Sequence, residues 1–292
     1  MLQEIFLSIE DIILDYDSRG ISYLREYLPR DFCSQAAKLV LDNPGLAIIV
    51  TGFYISSADA PETDGPPGAI AIGNALESIG YDVVYLSDRY TVPLLEASVD
   101  SKSKVIDFPI TDIEHSKTFA EKLLLDFNPA VIISIERCGQ SADGVYRNMR
   151  NVDISPHTAS LDYLFSNHTC TIGIGDGGNE IGMGNLYSVI PSIPNLVQFP
   201  SVTNTTSLLI SSVSDWGGYG LVAAISMVKG YNLLPSPDDQ QKLIMKLVDL
   251  GAVDGVSATA SYTVDGFSME QYCQTLEKLH ELVLDEGMMI SN

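Results

Sequence analysis

From residue 46 onward the chain alternates short apolar runs with longer segments in which apolar residues recur every three or four positions, the pattern of strands feeding helices in βαβ units. LAIIV (46–50), VVYL (83–86), VIDF (105–108), AVIISI (130–135) and TCTIGI (169–174) read as buried strands, and GAVDGVS (251–257) as a further one. Helices are predicted over 67–79, 112–126, 179–189, 216–230, 238–249 and 269–285; in the first of these Ala69, Ile72, Leu76 and Ile79 share one face. The first 43 residues are helical in pattern, with Ile5, Ile9, Ile12 and Ile13 at helical spacing and Pro29 and Pro44 as interruptions, and read as a packing arm without chemistry. The expected fold is one α/β domain over 1–292: a mostly parallel sheet flanked by helices, with residues 1–43 as an N-terminal helical arm.

In open parallel sheets ligands bind outside the carboxyl ends of the strands. Three predicted strands, LAIIV, AVIISI and TCTIGI, lead into acidic, glycine-rich loops: PETDGPPGA (61–69), IERCGQSADG (135–144) and GIGDGGNEIGMG (173–184). If those strands are parallel neighbours, the loops converge on one site.

Composition narrows the partners. With 16 Lys+Arg against 38 Asp+Glu the formal charge is −22, a field that repels phosphate backbones and anionic headgroups, so neither nucleic acid nor membrane is expected as a partner. The four cysteines (Cys33, Cys138, Cys170, Cys273) have no C-x-x-C spacing and read as buried free thiols. No Lys or Arg occurs in the first 18 residues, which argues against a secretory or Arg-rich targeting segment, and a cytoplasmic location is expected. Nothing in the composition addresses the oligomeric state.

Each motif admits two readings. Asp64 can be the N-cap of the helix that follows or a ligand, whereas Glu62 lies in the loop before it, where a carboxylate is solvated or coordinating. Glu136 and Arg137 leave the sheet together, as a buried pair or as site residues. Asp143 sits in a turn-forming Ala-Asp-Gly. Residues 151–228 contain no Lys or Arg, which makes Arg137, Arg147 and Arg150 the nearby cations able to grip a carboxylate by bidentate hydrogen bonds. GIGDGGNEIGMG contains a literal G-x-G-x-x-G (Gly173, Gly175, Gly178), but Asp176 and Glu180 would face the pyrophosphate, and no acid follows about 20 residues on to take a ribose hydroxyl. No nucleotide cofactor is expected. Glu180 can alternatively serve as a dipole partner in the first turn of a helix capped by Asn179. Trp216, in SDWGGYG (214–220), either docks its helix or lines the pocket.

Taken together, Glu62, Asp64, Glu136, Asp143, Asp176 and Glu180 bring six carboxylates to one cleft. A like-charged pair at ~4 Å costs about 4 kcal/mol at an effective dielectric of 20. The cluster therefore calls for protonation or a cation, and oxygen ligands without a His or Cys group favour Mg²⁺ or Mn²⁺, with Ca²⁺ as an alternative, over zinc.

With TGF (51–53), IERCGQSADGVYRNMR (135–150), SDWGGYG and VDGF (264–267) added to the glycine-rich loops, the chain resembles the D-glutamate cyclase family over roughly residues 47–285. The likeness is to the C-terminal domain of its mammalian mitochondrial members, which carry a further N-terminal domain, so activity transfers if the shared domain holds the active site. Asp215 stands where the resemblance leads one to expect Asn. The resemblance implies a hydro-lyase acting on an amino acid: the α-amine of D-glutamate attacks its own γ-carboxyl group and water leaves, giving 5-oxo-D-proline. For that reaction we allot, from the loops, Glu62, Asp64, Glu136 and Asp176 to acid/base or metal chemistry, with Asp143 and Glu180 as further metal ligands. Arg137 or Arg147 would bind the substrate carboxylate, and Gly177, Gly178, Asn179 and Trp216 would contact substrate. The runner-up readings are a metal-dependent phosphatase or related hydrolase and a non-catalytic small-molecule or cation sensor.

Overall fold

The computed structural model describes residues 7–290, with side chains through residue 285. Ile5 of the predicted arm lies outside the described residues. Six strands form one parallel sheet: β1 (Leu46–Thr51), β4 (Asp82–Ser87), β5 (Lys104–Asp107), β6 (Val131–Ile135), β7 (Thr171–Gly175) and β8 (Ser207–Ile210), in the order β5-β4-β1-β6-β7-β8. Two short antiparallel hairpins, β2 (Tyr54–Ile55) with β3 (Ala60–Pro61) and β9 (Thr263–Val264) with β10 (Phe267–Ser268), decorate the loops. The sheet runs outward from β1 in one direction and then restarts at β6 in the other. This reversal is the doubly wound arrangement, whose ligand crevice lies at the switch between the two central strands.

Both faces of the sheet are covered, which is why its strands read as continuous Val/Ile runs rather than as alternating ones. Ala47, Ile49, Val83, Tyr85, Val131, Ile133 and Ile172 enter a core with the helices α1 (Ile9–Ile13), α2 (Phe32–Leu41), α3 (Pro66–Ser78), α7 (Ser214–Lys229) and α9 (Met269–Ile290). The alternate residues Ile48, Val50, Val84, Leu86 and Ile132 enter a second core with α5 (Ile113–Phe127) and α6 (Asp162–Ser166). Leu94 of α4 (Val92–Ser98) packs on Leu247 of α8 (Pro237–Asp249) in a smaller cluster. The predicted arm is present as α1, a 3₁₀ segment over Ile21–Tyr27 and α2.

Two predicted elements do not form. The segment 179–189 is not an α-helix: Glu180 bridges Cys138, Gly182 and Met183 bridge Asn204, and only a 3₁₀ turn follows at Gly184–Leu186. Gly178 and Gly182 sit at φ 101° and 103°, left-handed conformations that break a helix. Nor is 251–257 a strand. Val253 makes one bridge to Glu62, after which the Asp254 carboxylate turns the chain by accepting the N–H groups of Val256, Ser257 and Gly266. The pattern also omitted β8, whose Ser-Leu-Leu-Ile run is only four residues long and flanked by threonines. Among the described residues no helix is long and apolar enough to cross a membrane.

Candidate active site

The three motif-bearing strands β1, β6 and β7 are consecutive neighbours in the sheet, so their carboxyl-end loops do converge. After β1 the chain makes the β2–β3 hairpin and returns through Glu62, whose backbone N–H donates to Phe53 O and whose neighbours pair with Val253. This pairing holds the Glu62 side chain inward and buried, with Oε1 lacking any hydrogen-bond partner. A Cβ on Gly255 would press against Glu62 Oε2, so a side chain there would displace the carboxylate.

Asp64 caps a helix, though not its own. Its Oδ2 accepts from Ser214 N at 3.0 Å and its Oδ1 from Asp215 N at 2.9 Å, at the start of α7. Asp215 returns the contact, its Oδ1 accepting from Gly65 N at 3.0 Å and Gly68 N at 2.7 Å at the start of α3. Each carboxylate thus satisfies the orphan N–H groups of the other helix. The exchange is possible because the helices nearly touch, a Cβ on Gly218 lying 3.2 Å from Gly68 Cα. Glu136 ends β6 at φ 43°, a left-handed conformation disfavoured for a non-glycine residue and of the kind that concentrates at functional sites. Ser214 Oγ donates to Glu136 Oε2 at 2.6 Å, and Glu62 lies within hydrogen-bonding reach of the same carboxyl group.

The third loop settles the dinucleotide-like motif. Glu180 folds back so that Oε1 accepts from Asp176 N (3.2 Å) and Gly177 N (2.7 Å) and Oε2 from Gly178 N (2.7 Å). The amide nest that would cradle a phosphate is filled by the protein's own carboxylate. The N–H groups of Gly177 and Gly178, expected to face substrate, are committed to Glu180, whereas Asn179 does line the cavity and donates through Nδ2 to Arg147 O at 2.9 Å.

Two residues that the sequence pattern did not single out complete the cluster. Arg19 reaches in from the arm, with Nη1 2.6 Å from Asp176 Oδ2 and Nη2 2.7 Å from Asp265 Oδ2, so the arm is more than packing. Asp265 comes from the β9–β10 turn. A signal for it existed in the Val-Asp-Gly-Phe motif, but Arg19 lies far from every glycine-rich loop and only tertiary structure brings it there.

Other expected site residues stand elsewhere. Asp143 does not join the cluster: its turn projects to solvent, where it makes a bidentate pair with Arg147 at 2.6 Å to each nitrogen. That pairing holds the Asp143 carboxyl below the usual carboxylate range and occupies Arg147. Arg137 is fully buried behind the site, donating to Gly52 O and Ala159 O at 2.9 Å and pairing with Asp88 at 2.7 Å, and its guanidinium has no face for substrate. Trp216 is likewise enclosed, packed on Phe267 with ring centroids 5.0 Å apart and against Tyr16 and Tyr272, so it docks its helix instead of lining the pocket. Of the three arginines weighed from the sequence, Arg150 is the one at the cavity.

The cavity has a volume of about 280 Å³ and opens over Glu62, Glu136, Asp176, Glu180 and Asp265, with Arg19 and Arg150 as its cations and Phe53, Ile55, Met149 and Val256 as apolar walls. That size suits a molecule of about ten heavy atoms, near the lower end of small-ligand pockets. Burial, followed by the repulsion of neighbouring carboxylates, pushes Glu62, Asp64 and Glu136 well above their usual range. Burial also raises Asp176 despite the opposing pull of Arg19. For Arg19, burial works against the charge, but Asp176, Asp265, Glu136 and Asp64 outweigh it and hold the guanidinium charged. Two triads, Asp64–Asp176–Asp265 and Glu136–Asp176–Glu180, present oxygens within 4.8 Å of one another. The unpartnered buried Glu62 Oε1 and the Asp176 Oδ2, which accepts no aligned hydrogen bond, are further sign that hard-cation chemistry fits this donor set.

A family model described as D-glutamate cyclase-like, C-terminal, matches residues 9–280. The human protein "D-glutamate cyclase, mitochondrial" is 27% identical over 309 aligned positions, covering 91% of this chain and 50% of the human protein, so the chain spans about half the length of that relative. The match begins at the arm that delivers Arg19 and runs through the turn that carries Asp265, and the chain belongs to the D-glutamate cyclase-like, C-terminal family.

Proposed function

We propose that this pocket closes D-glutamate into 5-oxo-D-proline with loss of water. The observation that carries the reading is the buried Glu62–Glu136 pair, two acids within hydrogen-bonding reach at the wall of an amino-acid-sized cavity. Lactam closure needs a base for the α-ammonium proton and an acid for the departing hydroxyl. Two carboxyl groups that share one proton provide both. Closure moves two protons from the α-ammonium nitrogen to the γ-oxygen that leaves as water, one before and one after nitrogen bonds to the γ-carbon, and in each exchange the ionised member takes a proton from nitrogen while the protonated member hands one to that oxygen. The pair ends with one proton, as it began. Arg150 at the mouth is the cation available to a substrate carboxylate, since Arg19 inside is held by Asp176 and Asp265.

Glu136, Asp176 and Glu180 would hold a divalent cation, with Glu62 beside them. Such an ion, Mg²⁺ or Mn²⁺ by the oxygen-only donor set, supplies neutralisation of the γ-carboxylate, an otherwise poor electrophile. A phosphoester reading is weaker, because no lysine lines the cavity and Glu180 fills the amide nest.

The test is 5-oxoproline formation by the purified chain from D-glutamate, L-glutamate and, as a contrast, a generic phosphoester, with and without EDTA. Turnover of D-glutamate is expected, with Glu136→Gln and Asp176→Asn each lowering kcat at least 100-fold, on the order of an acid/base contribution. Full activity in both variants, or none in the unaltered chain, would overturn the reading.

A further inference from the structure

We infer that the Arg19 guanidinium is a resident cation filling a seat that Asp64, Asp176 and Asp265 would otherwise offer to a divalent ion. The two carboxylate triads of the pocket share Asp176, and their oxygens lie within 4.8 Å of one another in each. Arg19 ion-pairs with two members of the Asp64 triad and, of the Glu136 triad, with the shared Asp176 alone. Arg19 Nη1 and Nη2 stand 2.6 Å and 2.7 Å from Asp176 Oδ2 and Asp265 Oδ2, and the Glu136 and Asp64 charges also act on the guanidinium.

The arm is built to hold it there. The Asp17 carboxylate accepts backbone N–H groups from Arg19 (3.0 Å), Gly20 (2.8 Å), Ile21 (3.2 Å) and Ser22 (2.9 Å) and the Ser22 hydroxyl at 2.6 Å, fixing the turn from which the side chain enters. Gly20 adopts φ 91° where the chain passes close to Ile193 and Pro194. An arginine making an incidental surface pair has no such frame.

A second observation points to a cation seat. Asp176 is 3% exposed, and its Oδ2 accepts no aligned hydrogen bond even with the guanidinium alongside. Its contact with Arg19 is one of charge, which a metal ion would make equally well. A planar guanidinium spans two carboxylates at once, here Asp176 and Asp265. The arm thereby limits the pocket to one exchangeable cation.

Mn²⁺ binding to the purified full chain, counted by equilibrium dialysis and calorimetry without substrate, tests this. Arg19→Met is expected to bind one Mn²⁺ more per chain than the unaltered protein, and the double variant Arg19→Met/Asp265→Asn to lose that extra ion. An unchanged count in Arg19→Met, or an extra ion that survives the second substitution, overturns the inference. The seat is read from the difference between variants, whereas the metal reading of the Glu136 triad is read from the unaltered count and the cyclase reading from turnover, so each can fail alone. If Arg19→Met does not fold, anomalous scattering from Mn²⁺-soaked crystals of the unaltered protein decides: Arg19 in place with no peak between Asp64, Asp176 and Asp265 supports the seat, and a peak there overturns it.

Discussion

Replacing Asp215 by asparagine separates its capping role from its charge. Asp215 is fully buried, and three donors converge on it: Gly65 N, Gly68 N and, at 2.8 Å, the Tyr272 hydroxyl. Tyr272 in turn lies 2.6 Å from the Tyr219 hydroxyl, which is 2.9 Å from Gln240 Oε1. That makes three oxygen contacts along the line Asp215–Tyr272–Tyr219–Gln240 and only two hydroxyl protons. The third proton comes from a protonated Asp215, or from the Gln240 amide turned end for end. An asparagine side chain in its place would keep an oxygen for the two glycine N–H groups and supply the missing donor from its amide. Burial, partly offset by hydrogen bonds from Tyr272 and the backbone, raises the Asp215 pKa to about 7. With an unfolded value near 3.9, the neutral acid is at full advantage below about pH 4, and stability is lost as pH rises toward 7, by about 4 kcal/mol in all. Roughly 3 kcal/mol of that falls between about pH 5 and 8. An asparagine has no such dependence. It also relieves Asp64, for which Asp215 is the largest source of repulsion after burial, in the same direction. Urea unfolding followed by the fluorescence of the single, buried Trp216 is therefore expected to show Asp215→Asn gaining about 3 kcal/mol on the unaltered protein between pH 5 and 8. A difference that stays flat across that range, or a variant less stable at pH 8, would refute a protonated Asp215 and leave the third proton to Gln240.

Two further outcomes follow from residues whose expected roles moved. Arg137→Met should cost about 3–5 kcal/mol in the same unfolding assay, because it strands the buried Asp88 carboxylate; a loss under about 1 kcal/mol would mean the pair is solvated. Asp143→Ala should leave Mn²⁺ affinity and D-glutamate turnover within about twofold of the unaltered protein, since the side chain lies in solvent on Arg147 and outside the cavity; a tenfold loss in either would return Asp143 to the site.

What the sequence determined by itself was the alternation of Val/Ile runs with amphipathic segments, and hence a parallel sheet covered on both faces, together with the loops that carry its acids. Local pattern suffices for that, because a strand buried on both sides must be apolar throughout and a loop at its carboxyl end is adjacent in sequence. Glu62, Asp64, Glu136, Asp176 and Glu180 were legible on those terms. Elements failed where backbone conformation overruled side-chain pattern: Ile181 and Met183 are buried within a segment of helical pattern, yet the left-handed glycines around them send the chain back over β7.

Only the tertiary structure decided which charges meet. Arg19 and Asp176 are far apart in sequence, and no periodicity links a turn in the arm to a loop after β7; packing of the arm against α7 and α9 does. The same holds for Asp64 and Asp215, each capping the other's helix because two glycine-containing helices approach closely, and for Arg137, whose buried carbonyl and carboxylate partners lie on three different segments. Electrostatic roles depend on distance and burial, and both are properties of the folded chain.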